Sequence, residues 1–407
     1  MARRLDELQD WIEHVSGAGW QWYVKYIAAN DTYAKPNVHQ GGPYLGKDLL
    51  RAAFPELTAR ASRDENPDMQ LPAFVRSHGL VQDVRLIWYN SKRLTKQANG
   101  RDEARLTRWG GAEHPLVAAD ATGSMVVFAF HQASSASNAD GVEVWITESS
   151  AEVDELLEVV GPVDPGAGVL FSPAVPIRAE SSGDCTLRPE ELRAEWRDEL
   201  PSGEDILAMV LDRQPRLQRL AVDSRLIKRR SCEYQLFQSI ENHVVLPRVR
   251  GGFDSVESFV RFANSVTNRR KSRAGKSLEL QVRAIFQEEA VPHSWTEPTE
   301  AKRIPDFIFP SISAYRDKRY PAKKLRMLAA KTTCKDRWRQ ILNEAARIPT
   351  KHLLTLQEGV STAQFAEMQE EGVRLVVPSP LHDKYPDEVR EHLVSLGEFV
   401  HEVKGLE

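Results

Sequence analysis

The sequence predicts two domains of different class: a mainly-β, barrel-like N-terminal domain followed by an α/β C-terminal domain. Three observations predict this. The chain has 407 residues, more than one ordinary core organises. Short alternating or aromatic-rich apolar runs dominate up to about residue 150. Beyond about residue 190, helical spacing interleaves with short apolar runs. Gly161 to Pro189, rich in Gly, Pro, Ser and Ala and without periodicity, separates the two patterns. The boundaries drawn are 1–178, a linker at 179–189, and 190–407.

In order, Leu5 to Val15 has helical spacing and Trp20 to Ala29 reads as an aromatic-rich strand. Asn30 to Gly46 is polar and rich in Gly and Pro, hence loop. Val84 to Tyr89, Arg105 to Trp109, Met125 to His131 and Val142 to Thr147 read as strands, and Ala151 to Val159 as a short helix. In the second part, helices are expected over Gly203 to Arg213, Cys232 to His243, Val256 to Asn264 and Gly275 to Glu289. Strands are expected near Asp306 to Phe309 and Leu325 to Thr332, then a helix from about Asp336 to Arg347. Lys351 to Leu356 and Val373 to Val377 read as strands, Thr362 to Glu371 and Asp387 to Leu396 as helices.

Mean hydropathy of −0.44, with no apolar run approaching the roughly 18 residues of a membrane span, excludes a membrane-spanning helix. The N-terminus leads into an amphipathic helix without an apolar signal region. Cys185, Cys232 and Cys334 lie far apart with no CxxC, which argues against a disulfide framework or structural zinc and fits a reducing cytoplasm. Net charge is −4, yet Asn268 to Lys276 carries five cations and no acid, and Lys228-Arg229-Arg230 forms a second basic run. Each run is either a solvated helix end or a face that meets phosphate.

The chemistry concentrates in Pro305-Asp306, Lys331-Thr332-Thr333 and Glu344. Phosphodiester hydrolysis needs charge neutralisation at phosphate and an activated water. Carboxylates that hold Mg²⁺, with a lysine to orient or polarise the nucleophile, supply both. Asp306 opens a short apolar strand and Lys331 closes another, where a lysine needs an anion nearby. The usual nuclease pattern is Pro-Asp, a gap, then Asp/Glu-x-Lys; its second acid belongs at position 329, which is Ala329. A helix from Asp336 would place Glu344 about two turns in, about 12 Å of rise, and could return a carboxylate to the same metal. The alternative is an ordinary exposed helix acid. Glu279 is a further candidate, or else an i,i+4 partner of Arg283. Gly275-Lys276-Ser277 is not a phosphate-binding loop, because the glycine required five positions earlier is Arg270.

With these residues in view, the second part resembles the EcoRII-type restriction endonucleases. The resemblance runs through Ala263 to Val266, Asn268 to Glu279, Pro305-Asp306-Phe307, Leu325 to Ala329, Lys331 to Ala345, Leu356 to Ser361 and Val373 to Ser379. Weaker similarity extends to Ala29 to Thr32, Tyr89-Asn90-Ser91 and Leu106 to Gly110, so it covers most of the chain. It implies a type IIE endonuclease that cleaves double-stranded DNA at 5′-CCWGG and needs a second copy of the site as effector. It implies an N-terminal B3-like pseudobarrel that binds effector DNA, and a C-terminal PD-(D/E)xK core that forms a homodimer. In this branch the second acid moves to the following helix, which makes Asp306 and Glu344 the Mg²⁺ ligands and Ala329 a family trait. A separate cytosine methyltransferase would protect the host's own DNA, in a bacterial cytoplasm.

Recognition residues follow the same way. Lys335-Asp336-Arg337 offers cations for guanine O6/N7 and an acid for cytosine N4, the donors and acceptor that G·C readout requires. The bland alternative is a helix N-cap at Asp336 with solvated neighbours. The resemblance favours readout, and it places Arg230 and Tyr234 at a pocket for flipped central bases; a tyrosine there could equally be core. By resemblance, Lys25, His39 and Tyr44 on one arm and Arg101, Glu103 and Arg105 on another grip the effector duplex. The second arm departs from the family: it is longer, and Ala104 stands where a cation is expected. Two rivals remain: a nuclease of changed specificity, and a DNA-binding protein that no longer cleaves.

Overall fold

The computed structural model describes residues 2–34, 41–96, 100–133, 137–161, 163, 168–172, 185–197 and 200–406. The chain forms two compact units. One comprises Met1–Ile177 with Gln357–Glu367 and Asp383–Glu391; the other comprises Arg178–Leu356, Met368–His382 and His392–Glu407.

The first unit is built on one curled sheet of eight strands: β1 (Trp20–Tyr26), β2 (Tyr44–Leu45), β3 (Asp68–Val75), β4 (Leu80–Tyr89), β5 (Glu103–Thr107), β6 (Met125–His131), β7 (Gly141–Ile146) and β8 (Val169–Phe171). Their spatial order is β2-β5-β4-β3-β7-β6-β1-β8, antiparallel except for β3 against β7. Helices α1 (Ala2–His14), α2 (Lys47–Ala53), α3 (Pro55–Arg60), α4 (Ser91–Leu94) and α5 (Ser150–Val160) accompany it. Alternation along the strands sends side chains to two cores. One holds Phe54, Trp88, Trp109, Phe128 and Phe130, the other Trp11, Trp22 and Trp145 with Leu8 and Leu156 from α1 and α5. Several elements were not legible in the sequence, four of them for plain reasons. Strand β3 contains Pro72, β8 has three residues, and the paired helices α2 and α3 are too short for periodicity to register.

The second unit has a five-stranded mixed sheet: β9 (Ser294–Trp295), β10 (Phe307–Phe309), β11 (Arg326–Lys331), β12 (Lys351–Thr355) and β13 (Val373–Val376), in the order β13-β12-β11-β10-β9. Strands β9, β10 and β11 pair antiparallel, whereas β11, β12 and β13 run parallel. Its helices are α6 (Gly203–Arg213), α7 (Val222–Gly251), α8 (Val256–Glu288), α9 (Ile312–Arg316), α10 (Thr362–Glu370), α11 (Asp387–Arg390) and α12 (Leu396–Lys404). The helices expected at 256–264 and 275–289 are one continuous helix, α8, because the basic segment between them continues it. The helix expected at Asp387 to Leu396 is instead two helices, parted by the Val376–Val394 bridge, with α12 starting at a Ser395 capping box. Phe286 of α8 packs edge-on against Phe307 and Phe309 of β10, each at 5.2 Å, and so fixes the strand that follows Asp306.

The cysteine reading needs correction. Cys185 and Cys232 form a disulfide, with Cα atoms 5.2 Å apart across 47 residues of sequence. Helix α7 carries Cys232 beneath the segment of Cys185, a proximity that sequence spacing cannot show. Cys334 is buried in the second unit. Disulfides are uncommon in reducing compartments, so cysteine usage no longer supports a cytoplasmic location. Among the described residues no helix is long and apolar enough to cross a membrane.

Candidate active site and recognition surfaces

The antiparallel pairing of β10 with β11 sets Phe307 opposite Leu328, which brings Asp306 alongside the end of β11. Asp306 Oδ2 accepts the Ala330 backbone N–H at 2.7 Å and the Lys331 ammonium at 3.1 Å. The acid and the lysine expected to act together therefore touch. Asp306 is 8% exposed, so this charged hydrogen bond forms where water screens it little.

Two further carboxyls feel Asp306. Burial, and then the Asp306 charge, push Glu279 up to about 7, with Lys331 and Lys276 opposing. Burial and the Asp306 charge likewise push Glu344 up to about 7, against Lys331, Lys351 and Arg303. Glu344 Oε2 is buried with no hydrogen-bond partner. Arg283, the bland partner for Glu279, lies instead over the Trp295 ring at 4.2 Å. The structure thus brings Asp306, Lys331, Glu279 and Glu344 within electrostatic reach of one another.

One premise is overturned. Residues 336–347 do not form the expected α-helix; a single 3-10 turn at Arg337–Ile341 leads into a turn that carries Glu344. The buried Trp338, Ile341, Ala345 and Ile348 have helical spacing, which is what the sequence pattern registered. Side chains take the carbonyls of this segment. Arg303 donates to that of Asn343, and Lys351 to those of Glu344, Ala345 and Ile348. Ala345 has φ +46°, which breaks any helix. Glu344 reaches the Asp306 region from a turn, with no two-turn helical rise.

Hard divalent cations take oxygen ligands, so the three carboxyls with an orphaned buried oxygen fit such an ion in chemical kind. Among the described residues no three potential ligands are already gathered as a metal cluster. The raised affinity of Glu279 and Glu344 for protons has the same origin as an affinity for a cation: several acids share a half-buried region.

Lys335, Asp336 and Arg337 follow the end of β11 after Thr332, Thr333 and Cys334, and all three are half-buried. Asp336 stands at the N-cap position of the 3-10 turn without a side-chain cap hydrogen bond to it. Arg230 and Tyr234 lie one turn apart on α7. Arg230 donates to Ser277 Oγ at 2.9 Å, and Ser277 in turn donates to the buried Glu233 at 2.7 Å. Gln281 also donates to Glu233, at 2.8 Å, and Arg273 lies 5.7 Å from the Tyr234 ring centre. Glu233, Ser277 and Gln281 escaped sequence reasoning, since nothing in their spacing reveals a shared partner. The basic runs divide. Arg229 and Arg270 are ion-paired with Glu288 and Glu241, each at 2.7 Å, whereas Lys228 and Lys276 are exposed.

In the first unit, Tyr44 of β2 sits opposite Arg105 of β5. The Arg105 guanidinium lies 3.7 Å from the Tyr44 ring centre and 3.5 Å from Glu103 Oε1. Arg101 is exposed, 4.0 Å from the same Glu103 oxygen. Lys25 donates to Asp31 at 2.7 Å, and Asp31 also accepts the Tyr44 backbone N–H at 2.9 Å. Lys25, Tyr44, Glu103 and Arg105 are therefore neighbours. Asp31, given no role in the sequence beyond its place in a polar loop and in the Ala29 to Thr32 string, organises one side of the group. His39 lies outside the described residues, as does most of the expected linker at 179–189.

Comparison with known proteins covers both halves. A family described as "Restriction endonuclease EcoRII, N-terminal" matches residues 16–174, and one described as "EcoRII C terminal" matches residues 237–400. Type II restriction enzyme EcoRII of Escherichia coli is 42% identical over 410 residues, covering 99% of this chain and 98% of that protein. Among solved structures, a complex of restriction endonuclease PspGI with substrate DNA has TM-score 0.42 and 12% identity, covering 54% of this chain and 95% of its own. Metal-depleted Ecl18kI with uncleaved DNA has TM-score 0.43 and 16% identity, covering 54% and 85%. These two structural likenesses are too distant to assign residues.

Proposed function

The chain belongs to the EcoRII family of type II restriction endonucleases, and from that membership we propose that it cleaves double-stranded DNA at CCWGG in a Mg²⁺-dependent hydrolysis, activated by a second copy of the site. The observation that carries the reading is the Asp306–Lys331 contact at 3.1 Å, with Glu279 and Glu344 both pushed up to about 7 beside it.

In this reading Asp306 and Glu344 hold Mg²⁺, with Glu279 as an auxiliary acid. When bound, the ion neutralises phosphate charge and lowers the pKa of a coordinated water. The protein's own groups do the rest. The Ala330 N–H and the Lys331 ammonium hold the Asp306 carboxylate in place through Oδ2. Lys331 Nζ, at the open end of β11, orients the attacking water and donates to the developing phosphate charge. Glu279 and Glu344 each keep a proton near neutral pH until a cation replaces it.

Lys335, Asp336 and Arg337 follow within a few residues of Lys331 and read the outer G·C pairs. Arg230 and Tyr234 line a pocket for flipped central bases, with Arg230 oriented by Ser277. Lys25, His39, Tyr44, Arg101, Glu103 and Arg105 bind the effector duplex. The domains are 1–178, the linker 179–189 and 190–407; the pseudobarrel is the effector module and the PD-(D/E)xK core the homodimer. On the family's restriction-modification role, and not on cysteine usage, we place the enzyme in the bacterial cytoplasm beside a cytosine methyltransferase that protects the host.

Digestion of a plasmid with several CCWGG sites, with Mg²⁺ and with EDTA, tests this directly. Cutting at those sites only with Mg²⁺ is expected. Cuts elsewhere would mean changed specificity, and no cutting by pure protein would mean a binding protein. Asp306→Asn keeps an oxygen for the Ala330 N–H and should lower cleavage by about 10³-fold or more while DNA binding persists; retained cutting would sink the site assignment.

A further inference from the structure

We propose that Lys351 is a positioning residue for Glu344: its buried ammonium clamps the carbonyls of the turn that carries this acid and so fixes where the carboxylate is presented. The inference rests on the reading of Glu344 as a metal ligand and adds a residue to it.

Lys351 is the first residue of β12 and is 5% exposed. Its Nζ donates to the carbonyls of Glu344 at 2.5 Å, Ala345 at 2.9 Å and Ile348 at 2.6 Å. An ammonium has three donors, and all three are used. A surface lysine at the end of a helix ordinarily caps carbonyls from solvent. Lys351 does so from inside the fold, where burial pulls it below the usual lysine range and the Glu344 and Glu300 charges oppose that. A buried cation is costly to keep, and the acceptors that compensate it all lie in this one turn.

The turn needs such a clamp. It has no α-helical ladder to hold it, and Ala345, next to the acid, is at φ +46°. A non-glycine residue there is strained and persists when its surroundings over-determine it. Two of the three Lys351 bonds go to Glu344 and Ala345 themselves. Arg303, from the segment before Asp306, secures Asn343 on the other side. Strand β12 runs parallel to β11 with Leu328 opposite His352, so one pair of strands sets both Lys331 and the residue that places Glu344.

The test compares wild type with Lys351→Arg, Lys351→Gln, Lys351→Met and Glu344→Gln, each first checked for fold by circular dichroism. Mg²⁺ affinity is read by calorimetric titration without DNA, and the acid limb of the cleavage pH profile separately. Lys351→Gln and Lys351→Met should bind Mg²⁺ about tenfold more weakly, whereas Lys351→Arg, which keeps a charged donor, should stay within about threefold. The acid limb should move to higher pH in the Gln and Met variants. The charges facing Glu344 are Asp306, Lys331, Lys351 and Arg303, and one cation of that set has gone. A folded Lys351→Gln with wild-type affinity and a wild-type acid limb overturns the proposal. Loss of fold in all three Lys351 variants also overturns it, since the lysine would then be a stability residue. If Glu344→Gln binds Mg²⁺ like wild type, the metal reading of Glu344 itself fails. If Glu344→Gln is weak and Lys351→Gln normal, only the positioning role fails.

Discussion

Glu279 and Glu344 hold their protons up to about pH 7 because burial and the Asp306 charge both penalise a second negative charge. The linkage has a definite sign. A carboxyl whose folded pKa lies above its unfolded value stabilises the fold at low pH, and that contribution is lost as pH rises from about 4.5 to about 7. Metal-free protein should therefore lose stability across this window, and thermal melting with EDTA at pH 5, 6, 7 and 8 checks it. Glu344→Gln should raise metal-free stability at pH 8 by about 1 kcal/mol while impairing cleavage, the trade-off expected of a strained site. Mg²⁺ binding at pH 6.5 should release protons, seen as a binding heat that varies with the buffer's ionisation enthalpy; a buffer-independent heat would contradict the shared-acid arrangement. At this scale the sequence showed which residue types were present. It did not show that Asp306 and Lys331 touch, nor that Lys351 supports Glu344.

Between elements, Phe286 of α8 and the strand following Asp306 form one packed unit. Phe286→Ala should cost about 3–5 kcal/mol and disorder the seat of Asp306, measurable by denaturant unfolding. Strand β12 carries a second titration. His352 is 1% exposed, against the Phe399 ring at 5.0 Å, and burial drives it down to about 4. A histidine kept neutral in the fold gives stability above its unfolded pKa, lost as pH falls from about 6.5 to about 4. His352→Phe should flatten the stability profile in that acid window alone. The strands around the site were legible because they are apolar runs of strand length. The helix at 336–347 was misread because buried residues at helical spacing also suit a turn pinned by Arg303 and Lys351. Periodicity records which residues are buried and is silent about where the backbone carbonyls find their donors.

For the whole molecule, the two units differ in architecture as the sequence indicated, a curled mainly-β sheet and a mixed α/β sheet. The proposed coupling between a target copy and an effector copy of the site belongs to this scale. Plasmid with one CCWGG site should be cut slowly, and adding a short duplex with the site should restore the rate; full activity without added duplex would contradict the two-site reading. Arg105→Ala, which removes the guanidinium over Tyr44, should weaken that stimulation without changing Mg²⁺ affinity. Some residues of the late chain gather with the N-terminal unit, a return that nothing in composition or periodicity announces.

The sequence by itself determined the class of each half and the family, and it singled out the residues proposed to carry the chemistry, because apolar periodicity and near-unique strings such as Lys331 to Ala345 are local properties. Only the tertiary structure decided the partnerships. It joined Cys185 to Cys232, set Asp306 against Lys331, presented Glu344 from a turn and closed that turn on Lys351. These are contacts between residues distant in the chain, or between side chains and carbonyls that no one-dimensional pattern encodes. Their strength comes from burial, which exists only once the sheets and helices have packed.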